Sequence, residues 1–306
     1  MPSSSAPTVL CAGIAVQDLV FGVSEFPPPG GKRMTDRLRI VSGGCAVNAA
    51  IAIARLGGRA RYSGPLGDYG DAVSSQLVTD MTREGIDTSA VVRVPGATAP
   101  VSGIMVDAAG ERMIVTYRDP RIETAASPAA GALVRDIDLL LADNRFPGYV
   151  RPICEAARAR GIPVVLDADR PTVEADELFR IASHVVFSGE CLRATTGLDD
   201  LAAGLQKIAP RTDAFVAVSD GPSSIRYMND GAVQSLPVFK VDTVDTLAAG
   251  DVFHAGIALA LAEGRDIVAA MRFGAAAAGL KCTRFGGSMG APTRAEVDAF
   301  LARDHG

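Results

Sequence analysis

Near the C-terminal end of the chain, a run of small residues precedes an apolar stretch. It reads Asp-Thr-Leu-Ala-Ala-Gly-Asp-Val-Phe-His-Ala-Gly over positions 245–256. Small residues let the backbone turn tightly, and the apolar stretch that follows is typical of a helix. The first N–H groups of a helix have no partner inside it, and the helix dipole favours negative charge there. The sequence therefore predicts an anion site, suited above all to phosphate, at this helix N-terminus.

One carboxylate, Asp251, falls on the first turn of the predicted helix. Because like charges repel, an acid beside a phosphate does not serve to bind it. It suits a general base that takes the proton of a hydroxyl while that hydroxyl attacks phosphorus. The first interpretation is thus phosphoryl transfer to an alcohol. The alternative is structural, since the dipole also favours an acid at an ordinary helix start.

A second motif near the N-terminus reads Gly-Gly-Cys-Ala-Val-Asn-Ala-Ala and begins at Gly43. Its two glycines, Gly43 and Gly44, let the backbone approach a ligand closely. Asn48, one turn into the following helix, can both donate and accept hydrogen bonds with neighbouring hydroxyls. Asp18, just past the first apolar strand, is a further acceptor for sugar hydroxyls. The alternatives are a helix whose C-terminal cap is Gly57 and a solvated turn acid.

The composition excludes several other classes of protein. The chain has 306 residues, 48% of them hydrophobic and 21% charged, with a net charge of −5. The sequence has no block rich in Lys and Arg that would favour binding of nucleic acid. No apolar run is long enough to cross a membrane. The five cysteines form no C-x-x-C pair, so neither a disulfide framework nor a zinc site is indicated. We expect free thiols, no secretory signal and a cytoplasmic location.

Short apolar runs alternate with helical patterns along the chain, which predicts an α/β fold with a doubly wound, mostly parallel sheet flanked by helices. The predicted buried strands are Thr8–Ala12, Leu139–Ala142, Pro163–Leu166, His184–Phe187 and Ala214–Val218. The predicted helices are Ala46–Leu56, Asp71–Glu84, Tyr149–Arg160, Glu174–Ile181 and Leu201–Ile208. In such a sheet, ligands bind beyond the carboxyl ends of the strands.

Two regions, Leu19–Val41 and Val101–Arg118, alternate polar and apolar residues without helical character. The second contains a hairpin signal at Ala109-Gly110. We interpret both as a small separate β-layer over the sheet edge, which needs a ligand, a domain or another subunit to cover it. A further hairpin is predicted in Ser224–Val241, with its turn at Asn229-Asp230-Gly231.

The two motifs, in this order and at opposite ends of the chain, resemble the signatures of the ribokinase/PfkB carbohydrate-kinase family. The matching residues are Gly43, Gly44, Asn48, Leu56 and Gly57 in the first, and Asp245, Thr246, Ala249, Gly250 and Asp251 in the second. The resemblance implies one ribokinase-like kinase domain over residues 8–306. It also implies a β-sheet lid formed by segments at about 17–41 and 98–119, homodimerisation through that lid, and ATP with Mg²⁺.

The resemblance also implies roles for individual residues. Asp251 would be the catalytic base, with the backbone amides of Ala248, Ala249, Gly250 and Asp251 as the anion hole. The residues implied for the sugar are Asp18, Lys32, Gly43, Gly44, Asn48, Thr116 and Arg145. The residues implied for the nucleotide are Ser219, Gly221, Thr246, Ala275, Cys282 and Gly287.

Three departures from the family pattern stand out. Ala248 replaces a glycine, which is tolerable if its backbone keeps a negative φ, and we then expect a slightly tighter anion hole. The N-x-x-E motif is absent around Ser188, and Glu190 is a substitute candidate for holding the metal. The glycine-rich nucleotide loop keeps Gly221 and loses its second glycine.

These departures resemble the ketohexokinase-like branch and, within it, 6-deoxy-6-sulfofructose kinases. The expected sugar side carries the cations Lys32, Arg33, Arg118 and Arg145. Such a set matches an anionic ketose, although most surface cations are simply solvated. The alternatives are a kinase for neutral fructose and a sugar-binding homologue without catalysis. A dinucleotide-dependent dehydrogenase is disfavoured because no G-x-G-x-x-G follows the first strand.

Overall fold

The computed structural model describes residues 6–171 and 175–303. The main sheet has eight strands in the order β14-β13-β12-β11-β10-β9-β1-β4, and its first six strands in chain order run parallel. These strands are β1 (Thr8–Ala12), β4 (Arg59–Ser63), β9 (Leu139–Asp143), β10 (Val164–Ala168), β11 (His184–Ser188), β12 (Phe215–Ser219), β13 (Ile225–Asn229) and β14 (Ala232–Leu236). The fold class predicted from the sequence is confirmed.

Helices cover both faces of this sheet. They are α1 (Cys45–Arg55), α2 (Ala72–Arg83), α3 (Pro120–Glu123), α4 (Ala130–Leu133), α5 (Pro147–Ala159), α6 (Ala175–Ile181), α7 (Gly189–Thr196), α8 (Leu201–Ile208), α9 (Ala249–Ala262), α10 (Ile267–Cys282) and α11 (Arg294–Arg303). In the described parts of the chain, short 3₁₀ helices span Ala209–Arg211 and Gly287–Gly290. The start of the helix predicted from Glu174 and the last three residues of the predicted domain lie outside the described residues.

The core forms two layers because side chains alternate across each buried strand. In β1, Val9 and Cys11 face helices α1, α9 and α10, whereas Leu10 and Ala12 face the layer that contains α5. All five residues of β1 are buried, as expected for a parallel strand covered on both sides. This double cover explains why the central strands are apolar runs in the sequence.

The small separate sheet is also present. Its strands, in the order β3-β2-β7-β8, are β2 (Val16–Gly22), β3 (Arg37–Gly43), β7 (Val101–Val106) and β8 (Arg112–Tyr117). We call it the lid sheet. A two-stranded sheet pairs β5 (Pro65–Leu66) with β6 (Val92–Arg93). The predicted β13–β14 hairpin is confirmed, with Asp230 (φ 48°) and Gly231 (φ 77°) in its turn.

Chain order reverses beside β1, because β4 pairs with one of its edges and β9 with the other. Ligands of open α/β sheets bind at such a switch point, beyond the carboxyl ends of the strands. The lid sheet connects to this edge, since β2 begins four residues after β1 ends. The fold therefore places the first motif, the lid sheet and the strand ends at one place.

Candidate active site

The anion site predicted from the sequence falls on the loop before α9. We call residues 245–251 the cradle loop. Ala248 is the N-cap of α9, and the carbonyl of Ala248 accepts the N–H of Val252 at 3.0 Å. The N–H groups of Gly250 and Asp251 belong to the turn before this bond, where helix geometry leaves donors free. The N–H of Ala249 is partly engaged by the carbonyl of Thr246, at 3.2 Å.

The expected negative φ of Ala248 is wrong. Its φ is 63°, in the left-handed region, so the residue adopts the conformation that a glycine takes without strain. The chain reverses direction sharply where the cradle loop enters α9. A left-handed backbone conformation at Ala248 makes this reversal possible. The alanine therefore adds strain to the anion site, and the expectation of a merely tighter hole is not supported.

Asp251 lies in the first turn of α9 and is held by Asn48. The side-chain Nδ2 of Asn48 donates to Oδ2 of Asp251 at 2.7 Å. Asn48 is buried within α1, which starts at the N-cap Gly44 with φ 89°. A Cβ at Gly44 would lie 2.5 Å from the carbonyl oxygen of Ile14. The glycine thus allows α1 to begin directly against the β1–β2 connection and brings Asn48 to Asp251.

Asp18 lies on β2 of the lid sheet, buried and close to Asp251. Burial raises its pKa to about 7, the charge of Asp251 adds to this, and a hydrogen bond with Ser102 opposes it. A Cβ at Gly43 would overlap the carboxylate of Asp18, so this position requires glycine. The structure therefore brings together Asp251, Asn48, Asp18 and the two glycines of the first motif.

Two acids that the sequence motifs did not indicate join the site. Asp143 ends β9, and its carboxylate accepts the N–H groups of Ile14 (2.8 Å), Ala46 (3.2 Å) and Arg145 (2.9 Å). Burial raises its pKa to about 7, although the hydrogen bonds from Ile14 and Arg145 lower it. Asp143 therefore joins β9 to the β1–β2 connection and to the first turn of α1. A carboxylate that ends a buried strand was the signal available in the sequence.

Asp167 is the second of these acids. It is the last but one residue of β10 and lies beside Asp143, its register partner on β9. Burial raises its pKa to about 6, and the nearby charge of His254 lowers it. His254 Nε2 lies 3.5 Å from Oδ1 of Asp167 and 3.2 Å from the carbonyl of Val186. Its Nδ1 lies 2.7 Å from the carbonyl of Gly250. His254 thus connects the cradle loop to the two neighbouring strands β10 and β11.

A thiol completes this group of side chains. The sulfur of Cys45 and one oxygen each of Asp167 and Asp251 lie within 4.8 Å of one another. Burial raises the pKa of Cys45 well above its usual value, so the group is a neutral thiol. A neutral thiol with carboxylates does not suit Mg²⁺, which prefers oxygen ligands alone. This cluster is therefore not a magnesium site.

Arginines lie on the side of the site formed by β9 and the lid sheet. Arg145 pairs with Asp169 and interacts with Cys45. Arg118 stacks on Phe146, with 5.8 Å between its guanidinium carbon and the ring centroid. Burial lowers the pKa of Arg118, and the positive charges of Arg170 and Arg145 lower it further. Arg118 is thus close enough to Arg145 and Arg170 for their charges to act on it, and it also pairs with Glu123 at 3.4 Å.

The other predicted sugar residues lie on the lid sheet or its loops. Lys32 is exposed in the loop between β2 and β3, and Arg33 in the same loop pairs with Glu25. Thr116 is exposed on β8, with its hydroxyl 2.9 Å from that of Ser102, which is the hydrogen-bond partner of Asp18. Thr116 is therefore two hydrogen bonds away from Asp18, whereas no described contact joins Lys32 to the site.

Apart from Thr246, the residues predicted for the nucleotide lie in three segments. Ser219 ends β12, and Gly221 (φ 56°) turns the loop that follows. Ala275 is buried in α10, and the carbonyl of Cys282 at the end of that helix accepts the N–H groups of residues 244 and 245. Gly287 donates to Asp245 at 3.2 Å. The backbones of Cys282 and Gly287 thus hold the cradle loop in place.

Thr246 connects the cradle loop to the lid sheet. Its hydroxyl donates to the carbonyl of Gly110 at 3.0 Å and accepts from Nη1 of Arg112 at 2.9 Å. Gly110 belongs to the hairpin turn predicted at Ala109-Gly110. The β7–β8 hairpin of the lid sheet therefore contacts the cradle loop.

Glu190 lies in the first turn of α7 and is exposed at the carboxyl end of β11. Ser188, which stands at the first position of the missing N-x-x-E motif, is the N-cap of α7 and accepts the N–H of Cys191 at 3.1 Å. The serine is thus a helix cap. An exposed carboxylate such as Glu190 fits Mg²⁺, which usually takes one or two carboxylates besides substrate phosphates.

Comparison with known proteins agrees with this geometry. The model of the pfkB family of carbohydrate kinases matches residues 6–294. A ribokinase from Bacillus subtilis is 28% identical over 293 residues, covering 95% of this chain and 98% of that protein. An ATP-dependent ribose-1-phosphate kinase from Halopiger xanaduensis is 28% identical, covering 96% and 98%.

A solved structure from Agrobacterium tumefaciens, provisionally assigned as a ribokinase, is 36% identical. It superposes with a TM-score of 0.94 over 99% of this chain and 100% of that one. The chain belongs to the pfkB family of carbohydrate kinases. Among the helices that the structure describes, none is long and apolar enough to span a bilayer.

Proposed function

We propose that this carbohydrate kinase transfers the γ-phosphoryl group of ATP to a primary hydroxyl of a sugar, with Asp251 as the general base. The observation that carries the proposal is the position of Asp251, beside the free amides of the cradle loop and bonded to Asn48. The amides stabilise the negative charge of the transferring group. Asp251 accepts the proton of the attacking hydroxyl.

Asp18 and Asn48 orient the sugar in this proposal. Asp18 is buried on the lid sheet and carries few hydrogen bonds, so its oxygens are available to sugar hydroxyls. Asn48 keeps its carbonyl oxygen as an acceptor while its amide group holds Asp251. The lid sheet, which contacts Thr246 of the cradle loop, excludes the water that would otherwise be phosphorylated.

ATP and Mg²⁺ complete the proposal. The donor is supported by the name of the Halopiger relative, which is an ATP-dependent kinase. Magnesium, when bound, would supply positive charge that offsets the charge of the phosphates. We propose Glu190 as its carboxylate ligand, since this side chain is exposed at the same edge of the sheet. The nucleotide lies along the segments that contain Gly221 and Ala275.

For the sugar, we propose an anionic ketose such as 6-deoxy-6-sulfofructose, as in the ketohexokinase-like branch. Arg145 and Arg170 act on the charge of Arg118, which pairs with Glu123, and an anionic substituent would relieve the repulsion that Arg118 still experiences. The Halopiger relative is named for an anionic sugar, ribose 1-phosphate. A neutral sugar is the second candidate, because the Bacillus relative is a ribokinase and Arg145 already pairs with Asp169.

A substrate panel distinguishes these candidates. ATP consumption is measured with ribose, fructose, fructose phosphates, 6-deoxy-6-sulfofructose and a keto-deoxy acid, for the wild type and Arg145→Gln. We expect an anionic sugar to have the highest kcat/KM, and Arg145→Gln to lower it at least about 10-fold. Arg151→Gln, an exposed arginine of α5, is the control. A neutral sugar preferred equally by wild type and Arg145→Gln contradicts the anionic substrate, and no turnover with any sugar contradicts the kinase assignment.

We also propose a homodimer formed through the lid sheet. The pairing register puts one set of apolar side chains on its outer face: Leu19, Phe21, Leu38, Ile40, Met105, Met113, Val115 and Tyr117. Val115 is 78% exposed and Ile40 57% exposed, so this face lacks cover in a single chain. A second copy buries it, and the free cysteines suit a cytoplasmic location.

Sedimentation tests the dimer. We expect the wild type to sediment as a dimer at micromolar concentration and Val115→Asp as a monomer. Met34→Asp, which changes an exposed apolar residue in the β2–β3 loop, should leave the dimer intact. A monomeric wild type, or a dimeric Val115→Asp, contradicts this interface.

A further inference from the structure

Lys281 is a charged side chain buried completely beneath the cradle loop. It belongs to the last turn of α10, and its side chain is 0% exposed. Its Nζ donates to the main-chain carbonyl of Asp245 at 2.7 Å and lies 3.4 Å from Oδ2 of the same residue. Lysine is seldom buried without a partner, because removing an ammonium group from water is costly. Here both partners belong to the first residue of the cradle loop.

The carboxylate of Asp245 organises the backbone around this ammonium group. It accepts the N–H of Leu247 at 2.8 Å within the cradle loop. It also accepts the N–H groups of Gly286 and Gly287, at 2.9 and 3.2 Å, in the segment that follows α10. Asp245 thus joins the two chain segments on which the anion site and the nucleotide residues lie. The buried carboxylate needs a nearby positive charge, and Lys281 supplies it.

We propose that Lys281 is a positioning residue for phosphoryl transfer, acting as a built-in cation that fixes the cradle loop through Asp245. This proposal rests on the proposed kinase function. Lys281 does not touch the reacting atoms. Its ammonium group holds the carbonyl and the carboxylate of Asp245 toward the protein interior. The other end of the loop then keeps the amides of Gly250 and Asp251 directed toward the site. The reaction depends on this placement because a shift of about 1 Å can cost on the order of 100-fold in rate.

A buried ammonium group can be replaced by a free cation, whereas an apolar side chain that only fills space cannot. Truncation to alanine leaves a cavity lined by the carbonyl oxygen and the carboxylate of Asp245. Oxygen atoms with a net negative charge attract a small monovalent cation. Ammonium or potassium ions should therefore enter the cavity and restore the loop, whereas the larger tetramethylammonium ion should not. In the wild type the lysine fills this place, so added potassium should have no effect.

The experiment compares Lys281→Ala with a matched lysine. The control is Lys207→Met. Nζ of Lys207 also donates to a backbone carbonyl, that of Thr196, at 2.7 Å, but Lys207 itself is exposed. We expect Lys281→Ala to lower kcat by about 10- to 100-fold. We expect 0.1 M potassium or ammonium chloride to recover most of this loss, and tetramethylammonium chloride to recover none. Lys207→Met should keep the wild-type kcat.

Hydrogen exchange gives a readout that needs no substrate. Amides of residues 245–251 should exchange faster in Lys281→Ala, and ammonium chloride should slow them again. This separates the two proposals: a wild type inactive with every sugar contradicts the kinase function, while the exchange rates still decide the role of Lys281. Two results would overturn the proposed role of Lys281. One is a kcat of Lys281→Ala within 3-fold of the wild type. The other is a loss of kcat in the folded variant that neither potassium nor ammonium reverses.

The wild type decides the matter if Lys281→Ala does not fold. Turnover that changes less than 2-fold between potassium and tetramethylammonium chloride supports a resident cation. Turnover that potassium raises severalfold shows an unfilled cation site and contradicts the proposal.

Discussion

Asn48 and Asp251 are 203 positions apart in the sequence, yet Nδ2 of one lies 2.7 Å from Oδ2 of the other. The bond joins the first turns of α1 and α9, which carry the two motifs. An amide donor fixes a carboxylate without neutralising it, whereas Lys or Arg would form an ion pair and reduce its basicity. Asn48 therefore suits the partner of a general base.

Loss of this bond should slow catalysis. We expect Asn48→Ala to lower kcat by about 10-fold or more, because Asp251 loses the donor that orients it. Steady-state kinetics at saturating ATP and sugar measure the effect, and circular dichroism checks the fold. A kcat equal to that of the wild type contradicts a role for Asn48 in placing Asp251.

Glycine at position 43 should be needed for sugar binding. In Gly43→Ala the added Cβ overlaps the carboxylate of Asp18, so Asp18 must move. We expect KM for the sugar to rise at least about 10-fold, since a buried hydrogen-bonding site that loses its geometry binds poorly. The control is Gly103→Ala on the same sheet, where a Cβ meets no atom within 4 Å. Equal KM values for the two variants would argue against Asp18 as a sugar ligand.

The left-handed backbone of Ala248 predicts a stabilising substitution. With φ at 63°, alanine is strained by about 1–2 kcal/mol in the folded state. Glycine removes this strain, but its greater conformational freedom stabilises the unfolded state and offsets part of the gain. We expect Ala248→Gly to raise the free energy of unfolding by about 0.5–1 kcal/mol. Ala156→Gly, inside α5, should lower it by a similar amount. Denaturant titration compares them, and destabilisation by Ala248→Gly contradicts the assigned conformation.

Asp18 should make stability depend on pH. Its pKa is about 7 in the folded chain against 3.8 for the ordinary group. The folded state therefore holds this proton more tightly, and its contribution to the free energy of unfolding falls as pH rises from about 4 through 7. Asp18→Asn removes the effect. The quantity to compare is the melting temperature of Asp18→Asn minus that of the wild type. We expect this difference to be about 2–4 °C larger at pH 8 than at pH 5.

This comparison isolates Asp18 because Asp143 and Asp167, whose pKa values are also raised, are present in both proteins. The same difference in melting temperature at both pH values would show that Asp18 ionises normally in the fold.

Much of the fold was predictable because the central strands are covered on both faces. Thr8–Ala12 is β1 as predicted, and the other four predicted strands overlap β9 to β12. Strand β4, Arg59–Ser63, was missed because an edge strand carries exposed residues such as Arg59 and so lacks a continuous apolar run. Local composition therefore predicts the centre of the sheet better than its edges.

The candidate site was only partly predictable for a related reason. Asp251 and Asn48 stand in recognisable motifs, whereas Asp143 and Asp167 are single acids at strand ends. They become neighbours only through the parallel register of β9 and β10. The φ of Ala248 and the burial of Lys281 are likewise set by packing between distant segments. Such contacts have no signature in a short stretch of sequence.

Turnover of Asp251→Asn is the most direct measurement of the central claim, that Asp251 takes the proton of the attacking hydroxyl. Asparagine keeps the size of the side chain and can still bond with Asn48, but it cannot accept a proton. At saturating ATP and sugar, kcat should fall by at least about 10²-fold while sugar affinity and melting temperature stay close to those of the wild type. A variant that folds, binds sugar and turns over at nearly the wild-type rate would contradict the account.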